Sequence, residues 1–317
     1  MATVETALGT MATDDLGATL MHEHVFVLTP ELQQNYDLGW DEDERVADAI
    51  GRLNELKAGG IDTIVDLTVT GLGRYLPRIA RIAASTELHI VVATGLYTYN
   101  DLPHYFNFKS VEHMADMFVR DITDGVHGTQ VRAAILKCAT DQQGLTPGVE
   151  RTLRAVAQAH RRTGAPISTH THAGSRRGLD QHRIFAEEGV DLNRVIIGHS
   201  GDTTDLDYLE ELMAAGSYLG MDRFGIEFFL PFEQRVDTVA TLCRRGRADR
   251  MVLSHDAACH MDWSDPTAMK TAAPNWHFLH ISQDVLPALR KRGVDDEQID
   301  QMLVGNPRRI FENVQPY

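Results

Sequence analysis

His22 and His24 stand two residues apart, and in an extended chain that spacing turns both imidazoles to the same side. His170, His199 and Asp256 each close a separate apolar run much later in the chain. Four imidazoles and a carboxylate form a donor set for divalent transition metals such as Zn, Co, Mn or Fe. Taken singly, each residue has an ordinary reading: a hydrogen-bonded His, a helix N-cap Asp. His172 lies two residues beyond His170 on the same side of the extended chain and competes with it as a ligand. Lys137 sits in the apolar run Ala-Ile-Leu-Lys-Cys. As an ammonium, with a reference pKa near ~10.4, it would repel a metal pair. It can be desolvated to a neutral nucleophile, the route of Schiff-base lysines. It can also take up CO2 to give a carbamate whose two oxygens bridge two cations. Four nearby histidines favour the carbamate; a Lys head reaching solvent is the bland alternative.

His22, His24, Lys137, His170, His199 and Asp256 come from distant stretches, so the fold must gather them. Short β-rich runs alternate with amphipathic helical patterns. Val46, Ile50, Leu53 and Leu56 recur near helical spacing, stop at Gly59-Gly60 and precede the run at 61–67. The pattern repeats: helix, glycine at 164, 189, 216 or 246, then a run at 166–170, 194–199, 217–222 or 251–256. Runs at 19–22, 89–94 and 131–137 complete eight strand candidates. Eight such units predict a single-domain α/β chain over 1–317, a (β/α)8 TIM barrel whose strand ends converge on one catalytic face. The doubly wound sheet competes, but no G-x-G-x-x-G follows the first strand. The stretch 257–280 becomes a long loop after strand eight.

Composition narrows the partners. Thirty Lys and Arg against forty-five Asp and Glu give a formal net charge of −15, which disfavours nucleic acid and acidic membrane surfaces. The first twenty residues have neither a basic stretch nor an apolar one, so no secretory leader is expected. Cys138, Cys243 and Cys259 show no paired spacing, which fits a reducing, cytoplasmic setting.

The segments MHEH at 21–24, ILKCATD at 135–141, STHTHAG at 168–174, IIGHSGD at 196–202, GMDRFG at 220–225 and LSHD at 253–256 resemble the phosphotriesterase family of the amidohydrolase superfamily. More narrowly, the chain resembles the phosphotriesterase-like lactonases over nearly its whole length. The resemblance implies a binuclear centre in a (β/α)8 barrel and a homodimer. His22, His24 and Asp256 would hold the more buried ion, and His170 and His199 the more exposed one. A carbamylated Lys137 and a hydroxide would bridge them. Asp256 would also carry a proton from the attacking hydroxide to the leaving alkoxide. Tyr97, in TGLYTYND, resembles the family tyrosine that points at the metals; an aromatic wall residue is the equal alternative.

Two features favour a lactone over an organophosphate. Where triesterases specialised for organophosphates have a relay histidine, this chain has Arg223, which does not deprotonate near neutrality. Asp202 and Arg223 would then form an ion pair that steadies the loop at 224–231. In addition, Ile226, Phe228, Phe229, Met261, Trp263 and Trp276 would line an apolar channel for an acyl tail, although helix packing accounts equally well for Phe228 or Phe229 alone. The expected reaction is metal-dependent opening of N-acyl-homoserine lactones (quorum quenching) or other γ/δ-lactones, with weak phosphotriesterase activity. An organophosphate triesterase is one alternative. A Schiff-base aldolase using Lys137 is another, and it leaves the four histidines without a task.

Overall fold

A computed structural model describes residues 2–312 and 314–317. The chain opens with an antiparallel pair, β1 (Thr3–Thr6) and β2 (Gly9–Ala12). Eight parallel strands follow: β3 (Thr19–Val27), β4 (Thr63–Asp66), β5 (His89–Gly95), β6 (Ile135–Thr140), β7 (Ile167–Thr171), β8 (Val195–Ile197), β9 (Tyr218–Met221) and β10 (Met251–Leu253). They lie side by side in chain order. The residues after β10 return to β3 and close the ring. His22 N–H donates to Ser254 Oγ at 2.7 Å, Asp256 N–H to His22 O at 3.0 Å, and His24 N–H to Ala257 O at 2.8 Å. This is the (β/α)8 TIM barrel.

The helices form where capping and apolar spacing agree. Helix Glu42–Ala58 starts at Asp41, whose side chain accepts from Glu44 N–H, and buries Val46, Ala49, Leu53 and Leu56. Helix Pro147–Thr163 starts at Thr146 with Pro at its first position and ends at Gly164 in the left-handed region, φ +75°. Alternation along the strands separates two apolar clusters. Val65, Val91, Ile135, Ile196, Tyr218 and Val252 belong to one; Ile64, Ile90, Leu136, Ile197 and Leu219 pack in the other, with the helices. Among the described residues, no helix is long and apolar enough to cross a membrane.

The strands depart from their expected bounds in ways that matter for the site. β3 continues to Val27, so His22 and His24 lie inside it and not at its end. Its last residues pair with a ninth parallel strand, β11 (Ala258–Met261), formed by the stretch expected to be loop. β6 begins at Ile135, not Val131, which leaves Lys137 in mid-strand.

Candidate functional site

The barrel's C-terminal mouth gathers His22, His24, His170, His199 and Asp256 around a cavity of about 160 Å³, and Lys137 is buried against His22. β3 carries His22 and His24, β6 carries Lys137, β7 carries His170, and the turns after β8 and β10 carry His199 and Asp256. The backbone is strained at the turns after β8, β9 and β10. His199, Arg223 and Asp256 adopt φ of +57°, +63° and +56°, a region uncommon for non-glycine residues and enriched at functional sites.

Proton positions follow from the partners. Asp222 accepts from His22 Nδ1 at 2.8 Å and from His199 Nδ1 at 2.6 Å. Both rings therefore keep Nε2 as a bare lone pair. Asp141 takes the Nε2 hydrogen of His170 at 3.2 Å, which leaves its Nδ1 bare. His199 Nε2 and His170 Nδ1 then face one another at 2.8 Å with no hydrogen between them. Asp256 Oδ1 stands 3.3 Å from His22 Nε2 and 3.2 Å from His24 Nε2. His24 Nδ1 lies 2.9 Å from Thr68 Oγ1. At the His199–His170 and Asp256–His22 contacts lone pairs face lone pairs and repel, and a cation between them would turn the repulsion into ligation. His22, His199 and Asp256 alone offer donor atoms within 4.8 Å of one another, a cluster that could hold a metal ion.

Burial sets the charge states. It lowers His22, with help from Lys137, brings His170 down to about 4, and pushes His199 well below the ordinary imidazole value. These rings are neutral donors at neutral pH. Burial acts upward on Asp256 and Asp222, but the facing histidines outweigh it and hold both carboxyls below the usual range. Lys137 is fully buried, its Nζ is 3.0 Å from His22 Nε2, and burial lowers its amine to about 8. Burial thus moves the amine toward its neutral, nucleophilic form.

Arg223 links two carboxylates: Nε donates to Asp256 at 3.1 Å and one terminal nitrogen to Asp202 at 3.0 Å. Asp202 is also held by buried Arg235 at 2.5 Å. The Tyr97 hydroxyl lies 3.2 Å from His170 Nδ1 and touches the Tyr99 hydroxyl. Burial raises both phenols, Tyr99 to about 12 and Tyr97 well above its ordinary value, so both keep their protons. Ile226, Phe228, Phe229, Met261, Trp263 and Trp276 all line the cavity. His172 does not: it caps a short turn, with Nδ1 2.7 Å from Ser175 Oγ.

Sequence reasoning missed Asp222, Asp141 and Tyr99. Each carried a signal. Asp222 and Asp141 each follow the last residue of an inward-facing strand, and Tyr99 is two residues from Tyr97.

Comparison with known proteins agrees with this arrangement. A model of the phosphotriesterase family matches residues 2–311. A phosphotriesterase homology protein of Mycobacterium tuberculosis is 67% identical over 320 residues, covering 98% of each chain. An aryldialkylphosphatase of Saccharolobus solfataricus is 38% identical over 299 residues, covering 94% of this chain and 95% of that one. A solved structure of the phosphotriesterase from Mycobacterium tuberculosis superposes with a TM-score of 0.98 at 66% identity, over 99% of this chain and all of that one. With the barrel, the clustered histidines and these matches in agreement, the chain belongs to the phosphotriesterase family of hydrolases.

Proposed function

We propose that this hydrolase is a binuclear metal-dependent lactonase acting on N-acyl-homoserine lactones or other γ/δ-lactones, with phosphotriester cleavage as a weaker side activity. The observation that carries it is the set of bare imidazole lone pairs and the Asp256 carboxylate, converging below a cavity whose upper wall is apolar. His22, His24 and Asp256 would hold one divalent ion, His170 and His199 the other, with a carbamate on Lys137 between them. Bound there, two Zn-type ions (Co, Mn or Fe being substitutes) supply Lewis acidity and a water nucleophile at neutral pH.

The chain's own residues do the rest. Tyr97 keeps its proton and offers it toward the substrate oxygen. Asp256 points Oδ1 at His22 and His24 and Oδ2 at Arg223, and it can carry a proton to the departing alkoxide. Arg223 is a positioning residue: it stays charged, cannot relay a proton, and fixes Asp256 against Asp202. Ile226, Met261 and Trp276, with the half-exposed Phe228, Phe229 and Trp263, exclude water and take the acyl tail at roughly 0.8 kcal/mol per buried methylene. The excess of acidic residues fits an enzyme with a small-molecule substrate and no nucleic-acid or membrane partner, and the three free cysteines fit a cytoplasmic setting. The protein acts as a homodimer in this reading.

The test is a panel of lactones and aryl dialkyl phosphates, assayed before and after chelation with metal counted per chain. The expected result is two ions per chain, chelator-sensitive turnover and higher kcat/KM on lactones. Phosphotriesters exceeding every lactone would overturn the substrate. Borohydride trapping of a carbonyl substrate on Lys137, indifferent to chelator, would overturn the reaction class.

A further inference from the structure

A second cavity, of about 390 Å³, lies on the other side of the wall formed by Met261, Met269 and Trp276, all three of which line both spaces. Its cationic side is Arg45 and Arg52, two turns apart on helix Glu42–Ala58, and Lys270 on helix Pro266–Ala272. Among the described residues no acidic one lines it, in a chain of net charge −15. The nearby carboxylates are engaged. Asp48 pairs with Arg52 at 2.9 Å, and Asp262 accepts from Thr29 N–H at 2.6 Å and from its hydroxyl at 3.1 Å. Arg45 and Lys270 have no carboxylate partner among the described residues, and Arg45 Nε is buried without a hydrogen-bond partner.

We propose that this cavity is a binding site for an organic carboxylate with an apolar body, separate from the catalytic cavity. Arg45 and Lys270 would take the carboxylate, since each has donors that the protein leaves unused. The Met261–Met269–Trp276 wall would take the apolar body; methionine side chains adapt to varied shapes. Because the wall is shared, an occupant presses on the side chains that also face the catalytic cavity. Binding on the two sides is therefore coupled, and the coupling is reciprocal.

The site is tested by calorimetric titration of the metal-loaded protein with octanoate, with octanol as the uncharged control. Octanoate is expected to bind saturably and octanol at least about tenfold more weakly, with R45Q/K270Q weakening octanoate by about tenfold or more. The variant removes two cations that have no carboxylate partner and lie outside the catalytic machinery, so it is expected to keep its fold and its metal content. Both are read alongside. Absence of saturable octanoate binding, equal binding of octanol, or unchanged affinity in R45Q/K270Q would each overturn the site. The last result would place octanoate in the catalytic cavity instead. None of these readings depends on which ester the enzyme cleaves.

Discussion

Asp222 orients two imidazoles at once. It is fully buried, bonds Nδ1 of His22 and of His199, and also accepts the backbone N–H of His199 at 2.9 Å. Its charge fixes which nitrogen of each ring faces the cavity. D222N would offer an amide N–H to at least one ring nitrogen and set the wrong tautomer. The expected result is a 10–100-fold loss in metal affinity or kcat/KM with the fold retained. Metal content by mass spectrometry, together with circular dichroism, checks it. Arg223 makes a contrasting case. R223K keeps the charge but cannot reach Asp202 and Asp256 through two separate nitrogens. Turnover is expected to fall by about tenfold with metal content unchanged, since Arg223 touches only the outer oxygen of Asp256. Two bound ions with normal turnover in R223K would show that the bridge is idle.

At the level of elements, what the sequence made legible depended on how local the cause was. The helix containing Val46, Leu53 and Leu56 was readable because helical spacing and a Gly-Gly stop lie close together in the chain. The extension of β3 to Val27 was not, because its partner β11 lies 234 residues away and exists only when the chain returns to close the barrel. Lys137 was found by its apolar flanks, but its mid-strand position came from the pairing of β6 with β7, in which Lys137 sits beside Ser168. Asp222 was hidden by its neighbour: Arg223 drew attention as the departure from a relay histidine, while the residue before it holds the rings. Strand packing also makes a prediction. Gly95 ends β5 at φ +141°, and a Cβ there would lie 1.9 Å from Lys137 O. G95A must push β5 away from β6 at the lysine, at an expected cost of more than about 3 kcal/mol. Urea unfolding measures it, and a loss below about 1 kcal/mol would show that the two strands separate easily.

At the scale of the whole molecule, acid stability is set partly by histidines buried far from the mouth. His182, on helix Arg177–Glu187, is buried with Nε2 2.8 Å from Ser217 Oγ, and burial lowers its pKa to about 4. In the unfolded chain it returns to near ~6.5. Between these values the unfolded state holds a proton that the folded state lacks, so stability rises with pH across that window. The contribution is complete above about 6.5 and is lost as pH falls toward 4, with an upper bound on the order of 3 kcal/mol. H182Q preserves a hydrogen bond to Ser217 and removes the titration. Parent and variant share the same site, so protonation of the metal-facing histidines cancels in the comparison. The expected outcome is that the parent's urea midpoint falls more steeply than the variant's between pH 6.5 and 4, by about one proton taken up per unfolding event. Parallel slopes would mean that His182 is protonated in the folded protein, and that water reaches Ser217 through the seam between helix Arg177–Glu187 and β9.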